Sequence, residues 1–338
     1  MYINFLINEM TFLKFFLPLV SEAEKRGIKS NFFYFGANKK YSCVNTQTNK
    51  PVIQQIVKEY NIDYIPAEPE NMLPFDGPFF CICGVGCQHI PEGKTIFSMT
   101  YGSDFISMYD SYIDHVDHVI FPGFDFAYHA GKMSKKNLYL GSPKYCVSYD
   151  KDQVCEKYNL EKHSKNALVI YPDFGKYPPM VDLDVVYAAL RESGYEIIVK
   201  TRGKNPVGRS SSDHYFEDPS WFPHTTLELI EASDLVVTHA ASATIKEIIN
   251  FRKPFLDLDV KFLTKNRPTI RDNFFFLYNY DFHRIVSEDM DVAAIKQHIG
   301  ELESGDFSFQ FDLAIKEHFQ DKDAVCANIL DKAFELVK

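Results

Sequence analysis

From Ser233 to Pro254 the chain reads SDLVVTHAASATIKEIINFRKP. An apolar run ends at His239. Four small residues follow (Ala240, Ala241, Ser242 and Ala243), and a helical pattern then begins with Thr244, Lys246 and Glu247. Small side chains let a ligand come close to the backbone. The first N–H groups of a helix have no intrahelical partner and sit at the positive end of its dipole. A diphosphate suits such a place. The Ser242 and Thr244 hydroxyls can add hydrogen bonds, and Glu247, one turn in, can accept hydrogen bonds from ribose hydroxyls. The competing use of Ser242 is a plain helix cap.

Other residues with chemical potential also fall just after apolar runs. Lys200 and Arg202, in VKTRGKNP, end a strand pattern on one face by the two-residue period. Two cations there can offset phosphate charge, and an arginine can do so through two parallel hydrogen bonds. Asp104 follows a run and a glycine, in TYGSDF, where a carboxylate can take a proton from a hydroxyl. It can equally cap the helix that begins near Phe105. Glu9, after the first run, is the rival base. His239 is suited either to a phosphate or sugar contact or to a structural hydrogen bond. The stretch CICGVGCQH (Cys81 to His89) has ligand types for zinc, but two alternating cysteines in a buried strand need no metal. Asp257 and Asp259, in DLD, are weak evidence for a metal. The expectation is no metal and no cofactor.

The elements that must position these residues alternate along the whole chain. YINFLIN (Tyr2 to Asn8) reads as a strand and Thr11 to Arg26 as a helix closed by Gly27. NFFYFG, FFCICG, KTIFSMT, DHVIFPG and KNLYLGS read as further strands, the last four of the type buried on both faces. Residues 51 to 60 open with proline at a helix start. Residues 148 to 166 are polar and charged, the texture of a linker. The alternation restarts with ALVIYPD, a helix over 183 to 193, YEIIVKTRG, HYFEDP, a helix over 227 to 232, DLVVTH, a helix over 243 to 250, and PFLDLD. The tail is helical with a break near Asp321. This pattern predicts two Rossmann-like, doubly wound α/β domains facing across a cleft. Their expected bounds are 1–147 and 167–311, with helices over 312–338 packing back toward the first.

Composition narrows the classes. The chain has 338 residues and a formal net charge of −10, from 36 Lys+Arg against 46 Asp+Glu. That balance excludes a sequence-independent grip on nucleic acid, which needs a basic face. Seven cysteines without regular spacing do not make a disulfide framework, so a reducing compartment, the cytoplasm, is expected. No stretch is long and apolar enough to span a membrane. The aromatic start, MTFLKFFLPLV, leaves room for peripheral contact with the inner membrane face or with a lipid-linked substrate, against the ordinary reading as a buried helix.

The spacing His239-x-x-Ser242-x-Thr244-x-x-Glu247, followed by Lys253-Pro254 and another strand, resembles the donor-binding segment of GT-B glycosyltransferases. Ala240-Ala241 stands where many members have two glycines. MTFLKFFLPLVSEAEKRGIKSNFFYFG resembles the first helix and second strand of a GT-B acceptor domain, through Pro18-Leu19 and Arg26-Gly27. YLGSPKY (Tyr139 to Tyr145) resembles the G-x-P-R/K element of bacterial polymer-forming members, the teichoic-acid CDP-glycerol transferases among them. TYGSDF resembles a loop of several bacterial sugar transferases. The resemblance spans about the whole chain. It implies a nucleotide-sugar donor with its diphosphate on Ser242, Ala243 and Thr244 and its ribose on Glu247. It also implies a loop around Trp221 or Phe222 packed on the base, and a glycan or lipid-linked acceptor activated by Asp104 or Glu9. The alternatives it leaves open are a CDP-polyol phosphotransferase, a sugar-nucleotide epimerase and a non-catalytic nucleotide-sugar-binding relative.

Overall fold

A computed structural model describes residues 1–7, 12–34, 58, 62–101, 109–171, 179–201, 209–217, 225–239, 244–259 and 279–337. Glu9, Asp104, Arg202, Trp221, Ser242 and Ala243, and the expected helix at 51–60, lie outside the described residues. The chain divides into two compact units, residues 1–147 with 317–338, and residues 148–316.

Among the described residues the first unit holds a sheet of seven strands. They are β1 (Tyr2–Ile7), β2 (Lys29–Tyr34), β3 (Tyr64–Pro66), β4 (Phe79–Ile82), β5 (Ile96–Met99), β6 (His118–Phe121) and β7 (Asn137–Tyr139). All pair in parallel, in the order β3-β2-β1-β4-β5-β6-β7. The strands β4 and β5 are buried at every position, as the continuous apolar runs require. The abundant phenylalanines have a specific use here. Register aligns Phe32, Phe5, Phe80 and Phe97 across four strands. Their rings sit 5.4, 5.9 and 5.3 Å apart, and His118 stacks on Phe97 at 5.0 Å. Offset aromatic pairs of this kind add to plain burial and hold register.

The helices of this unit are α1 (Leu13–Lys25), α2 (Pro69–Met72), α3 (Tyr109–Tyr112) and α4 (Phe124–His129), joined later by the last helix of the chain. Helix α1 buries Leu13, Phe15, Phe16, Leu17 and Leu19, so the aromatic start of the sequence is turned to the core. It stops because Gly27 takes φ +68°. The Ile28 N–H then reaches Ala23 O at 2.9 Å and the Gly27 N–H reaches Glu24 O at 3.0 Å.

The second unit is built on β8 (Lys165–Tyr171), β9 (Tyr195–Thr201), β10 (His214–Glu217), β11 (Leu235–Thr238), β12 (Phe255–Leu258) and β13 (His283–Val286). All are parallel, in the order β10-β9-β8-β11-β12-β13. Its helices are α5 (Lys151–Tyr158), α6 (Leu183–Glu192), α7 (Thr225–Ala232), α8 (Thr244–Asn250) and α9 (Val292–Ser304), followed by α10 (Ser308–His318). Helices α6 and α9 cover one sheet face, where Val186, Leu190, Ile295 and Ile299 meet Val169, Val199, Val237 and Leu256. Aspartates cap α5, α6 and α9: Asp150 accepts from the Gln153 N–H, Asp182 from Asp184 and Asp291 from Ala294.

Residues 148–166, with the texture of a linker, fold instead as α5 and the lead into β8. This helix is fastened to the second unit through Glu228, buried on α7, which accepts from Lys157 Nζ at 2.9 and 3.1 Å and from the Tyr158 hydroxyl. Lys151 Nζ pairs with Asp234 Oδ1 at 2.7 Å, and Asp234 Oδ2 accepts the Asn166 N–H at 2.9 Å. The chain leaves this unit through α10. Helix α11 (Lys322–Leu336), capped by Asp321, then packs on α1 in the first unit.

Candidate functional site

In both sheets the strand order reverses direction between a first strand and the strand beside it, β1 with β4 and β8 with β11. Ligands of open α/β sheets bind beyond the carboxyl ends of strands at such points. In the second unit that edge is polar and buried. Register pairs Lys200 with Ile170 and Phe216, and Thr238 with Asp257. Val237 pairs with Val169, so Thr238 continues in line with Ile170. Lys200, Ile170, Thr238 and Asp257 therefore form one row over four neighbouring strands, which stand about 4.8 Å apart. The row lies on the face opposite the core under α6 and α9, since Val169, Val199, Val237 and Leu256 alternate with it.

Lys200 is 3% exposed, Asp257 4% and His239, at the end of β11, 1%. Burying such groups costs several kcal/mol unless hydrogen bonds or opposite charges hold them, so a row of them marks a place built for polar partners. Helix α8 continues the theme. Thr244, Lys246, Glu247 and Asn250 are all buried, as is every other residue of the helix. Asn250 Nδ2 donates to Lys246 O at 2.8 Å, and the Phe251 N–H to Glu247 O at 3.0 Å.

Of the residues singled out in the sequence, Lys200 and His239 thus lie at one edge of one sheet, and Thr244 and Glu247 sit on the helix that follows β11. Lys253 does something else. It follows the helix stop at Arg252, which takes φ +57°, and its N–H closes the stop on Ile248 O at 3.1 Å. Its Nζ donates to Glu231 O at 2.9 Å, at the amino end of β12, and burial pulls its pKa below the ordinary lysine value. Lys253-Pro254 is therefore a helix stop and a tie to α7.

Two buried charged residues, one on α8 and one in the row, carry too little sequence signal. Lys246 lies on α8, just past the small residues 240–243, where the sequence pattern shows only a helix start. Asp257 occupies the inward position of an alternating strand, which the apolar neighbours of DLD obscure. A third buried charge lies apart from the row, in the first unit, in the element Tyr139 to Tyr145. Lys144 is 1% exposed, with its Nζ 5.3 Å from the Phe15 ring centroid, 5.9 Å from that of Tyr101 and 5.0 Å from that of Tyr145. A cation enclosed by three rings gains from their quadrupoles, more so when desolvated.

The cysteine stretch makes no such centre. Cys81, Cys83 and Cys87 are buried free thiols, and burial pushes the Cys87 thiol up to about 11. Among the described residues no three His, Cys, Asp or Glu side chains gather as a metal would need.

No protein-family model and no curated protein matches the chain. Solved structures do. The wall teichoic acid polymerase TagF superposes with a TM-score of 0.66 at 13% identity, over 99% of this chain and 89% of that one. MurG of Acinetobacter baumannii gives 0.54 at 10% identity, over 99% of both chains. MnaA of S. aureus, solved with UDP, gives 0.55 at 14% identity, over 97% of this chain and 94% of that one. Two parallel, doubly wound sheets in one chain, and neighbours of this type along nearly its full length, identify the chain as a GT-B fold protein.

Proposed function

We propose that the chain is a glycosyltransferase that moves a sugar from a nucleotide-activated donor to a glycan or lipid-linked acceptor hydroxyl. The observation that carries this reading is the buried row of Lys200, Thr238 and Asp257, with His239, at the carboxyl edge of the second sheet, followed by Thr244, Lys246 and Glu247 on α8. A nucleoside diphosphate has the charge and hydroxyl pattern for such a place. In this reading the donor diphosphate takes main-chain N–H groups at 242–244, with the hydroxyls of Ser242 and Thr244. Glu247 accepts from the ribose, and Lys200 and Arg202 offset charge on the departing nucleotide. Trp221 packs on the base. Asp104 and Glu9 are the sequence-based candidates for the base toward the acceptor. Charge stabilisation by side chains and amides makes the transfer metal-independent.

Solved neighbours that carry nucleotides, MnaA with UDP and TagF soaked with CDPG, support the ligand class. The test is a thermal-shift panel of UDP, GDP, CDP, CMP and dTDP on the full chain, repeated on Glu247→Gln. One diphosphate should raise the melting temperature, and the glutamine variant should bind it about tenfold or more weakly, the range for losing a charged hydrogen-bond acceptor. A flat panel, or a shift that Glu247→Gln leaves intact, overturns the reading. With the nucleotide known, incubating its sugar conjugate without acceptor separates transfer from epimerisation.

A further inference from the structure

Two thiols meet where the chain leaves the first unit and where it comes back. Cys146 stands one residue before the end of the stretch 1–147, and Cys326 lies on α11, in the returning stretch 317–338. The packing that joins them is close. Gly141 takes φ +92°, and a Cβ there would lie 2.4 Å from Val325 Cγ2, so a glycine is what lets this segment approach α11. The one-turn helix Pro143–Tyr145 that follows packs on α11, and Tyr145 meets Phe319 edge-on at 5.9 Å. Cys326 is buried on α11 together with Val325 and Ile329.

The two cysteines are unequal. Among the described residues Cys146 is the one cysteine that is not buried, whereas Cys81, Cys83, Cys87, Cys155 and Cys326 all are. The Cys146 thiol donates weakly to Ser142 O at 3.8 Å. The Cys326 thiol in turn makes a side-chain hydrogen bond with Cys146. That contact and burial, with a further push from the Glu22 carboxylate on α1, hold the Cys326 pKa well above the ordinary thiol value. Cys326 therefore keeps its proton and does not react first. Cys146, within reach of solvent, does.

We propose that Cys146 and Cys326 form a reversible disulfide by exchange with a low-molecular-weight disulfide such as oxidised glutathione, and that this bond fastens α11 to the first unit. The Cys146 thiolate attacks one sulfur of the reagent. One small thiol leaves, and a mixed disulfide remains on Cys146. The Cys326 sulfur, giving its proton to the departing thiolate, then attacks the Cys146 sulfur and displaces the second small thiol. One S–S bond forms in the protein and one breaks in the reagent: two protein thiols are oxidised and one disulfide is reduced to two thiols. In a reducing compartment such a bond is transient, and it forms when the small-thiol pool is oxidised. It closes a loop that contains the whole second unit, residues 148–316, and it denies α11 the local opening that packing alone permits. The donor-site residues have no part in it, and the inference does not depend on them.

The test is to incubate the folded full chain with oxidised and reduced glutathione at set ratios, alkylate the remaining thiols, and read intact mass and peptide map. The wild type should yield a peptide pair joined through Cys146 and Cys326, and excess reduced glutathione should restore both thiols. Cys326→Ser should stop at the mixed disulfide on Cys146. Cys146→Ser should leave Cys326 unmodified over the time in which the wild type is bridged. Protease should cut the segment 317–337 about tenfold more slowly in the bridged protein than in the reduced one. If Cys326→Ser unfolds, Cys146→Ser carries the test alone, because that side chain is half-exposed. A glutathione that stays on wild-type Cys146, a bridge through other cysteines, or a Cys326 that reacts equally fast in Cys146→Ser overturns the proposal. So does a bridge that leaves proteolysis of 317–337 unchanged.

Discussion

Replacing Lys200 by methionine separates a structural lysine from a ligand-holding one. Lys200 sits one strand from the switch point, 3% exposed, in a row with Ile170 and Phe216. Methionine keeps most of the length and apolar bulk and removes only the charge. A charged hydrogen bond to a phosphate is worth about 1.5–3 kcal/mol, so the dissociation constant of the nucleotide should rise about 10- to 150-fold. Take a nucleotide at 100 times its wild-type dissociation constant, which stabilises the folded state by about 2.7 kcal/mol. A 30-fold loss leaves about 0.9 kcal/mol at the same concentration. At about 2–4 °C per kcal/mol for a unit of this size, a shift of about 5–11 °C should shrink to about 2–4 °C. The assay is differential scanning fluorimetry with the nucleotide from the panel, checked by calorimetric titration. A variant that melts lower without ligand but keeps the full nucleotide-induced shift would refute the reasoning, because Lys200 would then serve the fold alone.

Three further outcomes are expected. Burial lowers the His283 pKa to about 4, so the folded state keeps this imidazole neutral while the unfolded chain protonates it near pH 6.5. Its contribution is complete above pH 6.5 and is lost as pH falls toward 4, on the order of 3 kcal/mol in all, and urea melts of His283→Phe should show a flatter pH profile over that window. Leu190→Ala, in the core under α6, should cost about 2–5 kcal/mol by chemical denaturation, since the residue is wholly enclosed. Gly123→Ala should loosen the return of the chain to the first unit, because the new Cβ would lie 2.0 Å from His318 O. Faster proteolysis between 317 and 337 checks this.

The strands of both central sheets were legible because parallel strands buried on two faces need continuous apolar runs, and IIVK, LVVT and FFCI are such runs. Of the four edge strands, β7 and β10 were legible in KNLYLGS and HYFEDP, and the other two were not. Tyr64–Pro66 and His283–Val286 are short, and each carries polar or exposed positions that break the run. Helix α5 escaped because it buries only Val154 and Cys155, too narrow a stripe to outweigh its charges. Helix α9 was missed, although Asp291 before an apolar-periodic stretch is the kind of start signal that could have found it. At the candidate site the strand ends themselves pointed to Lys200 and His239. Lys246, Asp257 and Lys144 are buried only in the assembled fold, and a charge enclosed by tertiary structure leaves no trace in local periodicity.

The route of the chain has a bearing on its synthesis. Residues 148–316 form a contiguous unit, whereas the unit that begins the chain is completed by residues 317–338, with α11 on α1 and Arg26 paired with Asp331. On a ribosome the middle of the protein can finish folding while the beginning still waits for its final helix. The first lobe to be made is thus the last to close, and its exposed flank near α1 is the natural place for a chaperone to wait.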